Sequence, residues 1–450
     1  MEEFGKVIEL FVNASEIRRR LSSYWVMEKD VPFDMENFQQ QIRANSTKPE
    51  EETRITGKAK LQASDYQIDH EISTDQRHDD DCGKWIYNDL RFQAWFNNDI
   101  IGHSVLYVNG IPGAGKTILM STVIEKLLES RNLTVKKSCV AYFYFKYKQP
   151  GKRSFSDLLR AILDQLIDQD PDMSDHLFDE ISILEGTRAP SAEILMKLIK
   201  AVLESYHISY IVLDGLDECD KKEAKKSVEW FLSLMNSGSR ESSATLRILF
   251  CGQRDGILDK LLENQPSISV EASGHVEDIR RYCRKRCERI QEKFDISVAM
   301  KEDIFSRVMD GAQGMFLYAR VVLENLLNQT RLAGLKQEME PSTFPRGIEK
   351  AYERVAVRIF EQPSSDTYEP QKNAVKILGW ITCARRQLRW REVQSIFCID
   401  PDKGAVNYED GRLRVACKDL CGSLVDVHYA TERKAGPEDI LKLVHETARK

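Results

Sequence analysis

Residues Gly110-Ile111-Pro112-Gly113-Ala114-Gly115-Lys116-Thr117 fit the spacing Gly-x-x-x-x-Gly-Lys-Thr. Glycines at these positions let the backbone curl until several N–H groups point inwards, an arrangement that suits phosphate oxygens. The lysine that follows can reach the β- and γ-phosphates as a compact charge, and a hydroxyl next to it can bind Mg²⁺. Lys116 and Thr117 stand in those two places, with Pro112, Ala114 and Ile118 completing the loop and the first helical turn. A helix opening near Lys116 adds its positive dipole end. The chemistry implied is binding of a nucleoside triphosphate with magnesium. The alternative, a glycine-rich turn without a ligand, is disfavoured by context, because an apolar run precedes the loop and a helical pattern follows it.

About 100 residues downstream, Tyr210-Ile211-Val212-Leu213-Asp214-Gly215-Leu216-Asp217-Glu218 is an apolar run that ends in acid. Ligands of open α/β sheets sit beyond the carboxyl ends of the strands, so Asp214 is expected beside the phosphate loop. A carboxylate there can hold magnesium directly or through its water shell. Gly215 leaves room beside it. Asp217 and Glu218 then stand where a carboxylate could orient a water against the terminal phosphate. The alternative, a solvated acidic turn, is disfavoured by the phosphate loop about 100 residues upstream.

A third run, Leu246-Arg247-Ile248-Leu249-Phe250-Cys251-Gly252-Gln253-Arg254, ends in a guanidinium. Arg254 is either a bidentate sensor of the terminal phosphate or an ordinary surface arginine.

These groups need a frame. Apolar runs at Val105–Val108, Val140–Phe145, Tyr210–Leu213, Leu246–Phe250 and Ile268–Val270 read as strands, with helical patterns such as Ile118, Leu119, Val123, Ile124, Leu127 and Leu128 between them. Strands alternating with amphipathic helices predict a parallel sheet covered on both faces. An α/β domain is therefore expected over residues 82–275. Residues 276–345 read as a helical domain and linker, and 346–450 as a last block, helical through Phe397 and mixed beyond. Ahead of these, residues 1–30 have helical spacing and a polar stretch runs on to residue 81, in keeping with a linker or a loosely packed segment. The chain stops at Lys450 shortly after an apolar run, a place where a domain seldom ends, so a fragment is expected.

At 450 residues there is length for two to four domains, at roughly 100–200 residues each. A net charge of -6 argues mildly against a dedicated nucleic-acid binder. The basic run Arg280-Arg281-Tyr282-Cys283-Arg284-Lys285-Arg286 reads first as a solvated helix face. The amino terminus lacks the basic start and apolar core of a secretory signal, and no apolar stretch approaches the roughly 20 residues of a membrane-spanning helix. The expected location is cytoplasmic. The ten cysteines fit no disulfide framework or metal-ligand spacing, although Cys283/Cys287 and Cys417/Cys421 share an i,i+4 interval. Trp85, Trp95, Trp380 and Trp390 sit among apolar neighbours and are expected in cores.

Taken in order, these motifs make the chain resemble the NACHT family of signal-transduction NTPases, the STAND proteins, and most of all the fungal members and the nephrocystin-like amino-terminal NTPase domain. The motif Asp214-Gly215-Leu216-Asp217-Glu218 carries much of the likeness: a small residue follows the metal aspartate, and acids stand three and four positions on from it. Cys82–Ile86 with Phe92–Trp95, Val140–Phe145, and Gly314–Arg320 match flanking segments of that family. Ile377–Trp380 with Leu388–Glu392 resemble its winged-helix domain, so the likeness runs over about residues 82–450.

The resemblance implies a nucleotide-controlled switch that binds ATP or ADP with Mg²⁺ and hydrolyses slowly. Its protein partners would come through self-association or through carboxyl-terminal repeats not present in this chain. A steady-state NTPase and a non-hydrolysing scaffold are the alternatives. Resemblance also implies that His445, in Val444-His445-Glu446-Thr447, contacts the β-phosphate of bound ADP; a structural histidine is the other reading. The chain departs from many relatives in carrying Gly314-Met315-Phe316 where they place a proline near the adenine.

Overall fold

A computed structural model describes residues 58–97, 104–133, 137–146, 149–169, 190–236, 245–254, 258–271, 273–360, 368–400, 405–428, 436–444 and 448. The helix expected over residues 1–30 lies outside the described residues, as does His445. The second half of the polar stretch carries a helix, α1 (Gln67–Asp75), and Leu61 and Ile72 from this stretch are buried.

After α1 come the helix α2 (Leu90–Phe96), β1 (Val105–Asn109), α3 (Lys116–Leu133), β2 (Ser138–Tyr144), α4 (Phe155–Gln169) and α5 (Ala192–Glu204). They are followed by β3 (Ile208–Asp214), α6 (Lys221–Asn236), β4 (Thr245–Gly252) and the short β5 (Ser267–Ser269). The five strands form one sheet in the order β2-β3-β4-β1-β5, with every pair parallel. Every residue of β1 is buried, as expected of a strand covered on both faces, and this explains why its sequence is a run and not an alternation. The helices cover those faces with apolar sides such as Leu119, Val123, Ile124 and Leu127 of α3 and Leu158, Leu159, Ile162 and Leu166 of α4. The five expected strand runs all fall on strands of this sheet.

A parallel sheet delivers all its carboxyl ends to one edge. Asn109 of β1 pairs with Gly252 of β4, and Leu213 of β3 with Phe250 of β4. The loop after β1 and the acids after β3 therefore emerge on the same edge with one strand between them.

Beyond the sheet the chain is helical: α7 (Ser273–Phe294), α8 (Val298–Ala312), α9 (Phe316–Leu327) and α10 (Ile348–Phe360). Their apolar faces make a second core that includes Tyr282, Ile304, Tyr318, Val322 and Val355. A third, smaller core joins α11 (Tyr368–Cys383), β6 (Leu388–Arg389), α12 (Trp390–Cys398), β9 (Val425–His428) and β10 (Ile440–Leu443) around Ile377, Val393, Val425 and Leu441. Strands β6, β10 and β9 form an antiparallel sheet in that order, and β7 (Ile399–Asp400) pairs with β8 (Ala405–Val406). No helix among the described residues is long and apolar enough to cross a membrane.

Trp85 and Trp95 pack with the sheet core, and Trp380 and Trp390 with the third core. Trp95 is fully buried and donates its indole N–H to Ile248 O at 3.1 Å. The described cysteines are all free thiols. Buried Cys283 and Cys287 belong to the helical core, and burial pushes both thiols up to about 12.

Candidate nucleotide-binding site

The turn from β1 into α3 is made by glycines that no other residue replaces without strain. Gly113 and Gly115 have φ of +74° and +94°, in the left-handed region. A Cβ on Gly113 would lie 2.9 Å from Leu317 Cβ, because α9 is docked on the loop and Leu317 N–H donates to Gly113 O at 3.0 Å. Lys116 folds back over the loop, donating from Nζ to Gly110 O at 3.1 Å and to Ile111 O at 3.0 Å. Gly113, Gly115, Lys116, Thr117 and Ile118 line a cavity of about 1230 Å³. Ala114 is buried beneath the loop, lining a small recess off that cavity, and Gly110 packs against Val270.

Asp214, Asp217 and Glu218 line the same cavity. Asp214 ends β3 with only 3 % of its surface exposed, while its carbonyl accepts the Phe145 N–H at 2.9 Å. Gly215 follows with φ +73°, and a Cβ there would come within 2.7 Å of Phe145 O. This is the physical reason for the small residue after the aspartate. The chain then closes a short 3-10 turn, with Glu218 N–H donating to Gly215 O at 2.7 Å. On β4, the Cys251 thiol is held protonated, first by burial and then by the negative charge of Asp214.

The structure separates the two downstream acids. Asp217 accepts the Gln253 N–H on Oδ1 at 2.9 Å, which ties the acidic turn to the end of β4. Burial raises its carboxyl, and the Lys116 ammonium and the Gln253 bond oppose that shift. Glu218 is half-buried at the cavity wall. Arg254 is exposed and donates from Nε to Asn109 Oδ1 at 2.8 Å; at the cavity wall the β4 end presents Gln253.

The residues that sequence reasoning passed over come from the later segments. Arg320 of α9 pairs with Asp426 of β9 and lies 3.7 Å from Glu324, and Gln76 beside α1 donates to Asp426 Oδ2 at 3.3 Å. Arg320, Asp426 and Lys442 of β10 all line the same cavity as the loop. Burial, then the nearby Lys146, pushes the Lys442 ammonium down to about 8, with Arg320 adding to the effect. Arg320 was legible only as part of the Gly314–Arg320 segment. No spacing rule joins residue 320 to residue 426; the pair forms only where α9 meets β9.

The donors present suit magnesium. Thr117 and Asp214 offer hard oxygen ligands, and among the described residues no group of three or more His, Cys, Asp or Glu gathers to hold a metal. A magnesium ion that takes several ligands from phosphate and water needs only one or two from the protein.

With this geometry in view, a protein-family model described as "Nephrocystin 3, N-terminal" matches residues 81–253, the stretch from just before Cys82 to the end of β4. Residues 81–253 are thus similar to that family. Among curated proteins, the vegetative incompatibility protein HET-E-1 of Podospora anserina is 22 % identical over 383 residues, covering 80 % of this chain and 26 % of its own length. The chain thus spans about a quarter of the curated relative it matches. The NACHT-type P-loop resemblance read from the motifs holds. Solved structures overlap only loosely: the Walker-type ATPase PABY2304 of Pyrococcus abyssi at TM-score 0.34 and 13 % identity, covering 80 % of this chain and 92 % of its own, and the Aeropyrum pernix ORC1 protein in complex with DNA at 0.33 and 11 %, covering 77 % and 85 %. Overlap this loose leaves the assignment to the family match and to the site itself.

Proposed function

We propose that this nephrocystin-type chain is a nucleotide-dependent signalling switch that binds ATP or ADP with Mg²⁺ and hydrolyses slowly. The observation that carries this reading is the shared cavity. The phosphate loop, the acidic turn after β3, α9 and the β9–β10 hairpin all line one space of about 1230 Å³. A ligand in it would touch all three cores at once, so nucleotide state would bear on how they dock. A ligand shifts such an equilibrium only by its differential affinity for the two arrangements.

In this reading residues 82–275 are the NTPase domain, 276–345 a helical domain and 346–450 a winged-helix domain. The amides of Gly113 and Gly115 and the Lys116 ammonium hold the phosphates, with Ala114, Ile118 and the flanking Gly110 and Pro112 shaping the loop. Thr117 and Asp214 hold magnesium, which when bound neutralises phosphate charge. Asp217 and Glu218 both stand at the cavity wall as candidates to orient a water, and Oδ1 of Asp217 already accepts the Gln253 N–H. Arg254 serves as a terminal-phosphate sensor only by leaving Asn109, and His445 as a β-phosphate contact. Protein partners through self-association, and a cytoplasmic location, belong to the same proposal.

Mass spectrometry of nucleotide released on denaturing the purified chain tests the reading. A switch carries ADP or ATP through purification and turns over slowly. Rapid multiple turnovers without a partner, or protein free of nucleotide that binds none when it is added, would overturn it.

A further inference from the structure

His78 stands at the junction between the large cavity and a small, mainly apolar recess beside the phosphate loop, and it lines both. The recess walls include Trp85, Ala114, Leu119, Val270 and Phe316. The imidazole is 7 % exposed and packs against Phe316 at 5.4 Å and Tyr282 at 5.7 Å between ring centroids. Neither ring nitrogen makes a hydrogen bond, although Nε2 lies 3.4 Å from Asp79 Oδ2. Asp79 is itself engaged by the Lys285 ammonium at 3.1 Å.

A buried polar group without a partner is costly, and its presence calls for an explanation. Burial pushes His78 down to about 4, and the cations Arg281, Lys285 and Arg286 oppose its protonation while Asp79 favours it. Near neutral pH the ring is therefore uncharged, with one N–H donor and one lone pair both unused. Ligand pockets commonly combine apolar walls with a few placed polar groups that fix orientation. A purine base has flat apolar faces and a rim of ring nitrogens. Gly115 and Ile118, which line the recess as well as the cavity, connect it to the phosphate loop.

We propose that His78 sets base selectivity in this site, directing its unused ring nitrogens at the edge of a purine seated between the recess and the main cavity. This rests on the nucleotide reading above and adds the base to it. The histidine contributes selectivity, and the phosphate loop contributes most of the affinity.

The test compares ADP, CDP and the 1-deaza, 3-deaza and 7-deaza analogues of ADP by calorimetric titration of the full chain, wild type and His78→Phe. In the wild type one analogue that lacks a ring nitrogen is expected to bind about tenfold more weakly than ADP, the worth of one buried hydrogen bond. In His78→Phe that difference should vanish, and the preference for ADP over CDP should shrink by a similar factor. Wild-type protein that binds all three deaza analogues within twofold of ADP overturns the proposal without any variant, so a His78→Phe chain that misfolds does not block the test. A His78→Phe chain that folds and keeps the wild-type ADP preference also overturns it. Failure of the wild type to bind ADP at all removes the phosphate-loop reading first, and a flat analogue series on a chain that binds ADP removes only the role of His78.

Discussion

Arg320 and Asp426 form an ion pair between α9 of the helical core and β9 of the last core, both at the wall of the shared cavity. Glu324 lies 3.7 Å from Arg320 on the same helix, and Gln76 donates to the second oxygen of Asp426 at 3.3 Å. The side chains of Arg320 and Asp426 are 21 % and 6 % exposed, so removing the aspartate leaves a largely buried guanidinium with only the more distant Glu324 beside it. Asp426→Ala is expected to destabilise the docked arrangement by about 3 kcal/mol, in the range seen when one partner of a buried pair is lost. Limited proteolysis with bound nucleotide, and the rate at which nucleotide leaves, both report it: cleavage between the second and third cores and nucleotide release should quicken together. Unchanged release in a folded Asp426→Ala protein would show that the pair does not hold the cavity closed.

Lys116 tests the phosphate loop directly. Its ammonium rests on the carbonyls of Gly110 and Ile111, a contact a triphosphate could replace without moving the loop. Lys116→Ala is expected to lower nucleotide affinity at least about 100-fold, since it removes a charge-assisted contact, while leaving thermal stability nearly unchanged. Equilibrium dialysis with labelled ATP measures it, and retained affinity would sink the assignment of the loop.

Much of this architecture could be read from residue order because it rests on local rules. The strand runs are apolar without alternation because both sheet faces are covered, and the loop glycines sit at fixed intervals because the backbone turns there. Gly215 was legible as a small residue, yet the obstacle that requires it, the Phe145 carbonyl, becomes adjacent only when β2 pairs with β3. Asp217 reads in sequence like a second catalytic candidate. Its engagement by Gln253 depends on β4 ending alongside β3, and no spacing in the chain encodes that. The Arg320–Asp426 pair and the unpartnered ring of His78 arise from packing between distant segments, so composition and periodicity carry no trace of them.

Gly215 offers a stability test. A side chain there meets the Phe145 carbonyl oxygen at 2.7 Å and must also adopt φ +73°. Gly215→Ala is expected to cost about 1–3 kcal/mol through left-handed strain and the clash together. Thermal unfolding should show a lower Tm for Gly215→Ala, and a larger loss for Gly215→Val. An unchanged midpoint would mean that the acidic turn relaxes freely, and it would weaken the case for a rigid metal-side wall.

The two acids beyond it should separate in kinetics. Glu218→Gln is expected to lower the basal hydrolysis rate at least about tenfold while ATP affinity stays within a few-fold, as for loss of a general base or water-orienting group. Asp217→Asn keeps an oxygen that can accept the Gln253 N–H, so it should fold normally, whereas Asp217→Leu should lose about 1–3 kcal/mol by stranding that donor. Single-turnover assays and unfolding curves on the three variants separate the roles. An unchanged rate in Glu218→Gln would remove Glu218 from catalysis.

Lys442 provides a pH signature that reports on docking of the β9–β10 hairpin. Its ammonium faces Lys146 beyond β2 and Arg320 on α9, with Asp426 on β9 and Asp69 on α1 as the opposing carboxylates; burial and the two cations bring it from 10.5 down to about 8. The unfolded chain therefore binds more protons than the folded one between about pH 8 and 10.5, and where that holds stability rises with pH. Below about pH 8 the cost of the buried charge is present in full, and it is relieved as pH climbs towards the unfolded value. Lys442→Met removes the group, and should therefore be more stable than wild type at pH 7 by a margin that narrows steadily towards pH 10. Chemical denaturation of both proteins at pH 7, 8, 9 and 10 measures that difference directly, and cancels the titration of thiols and tyrosines common to the two. A difference that is flat across this range would mean that Lys442 is solvated, and that the hairpin does not seal the cavity it lines.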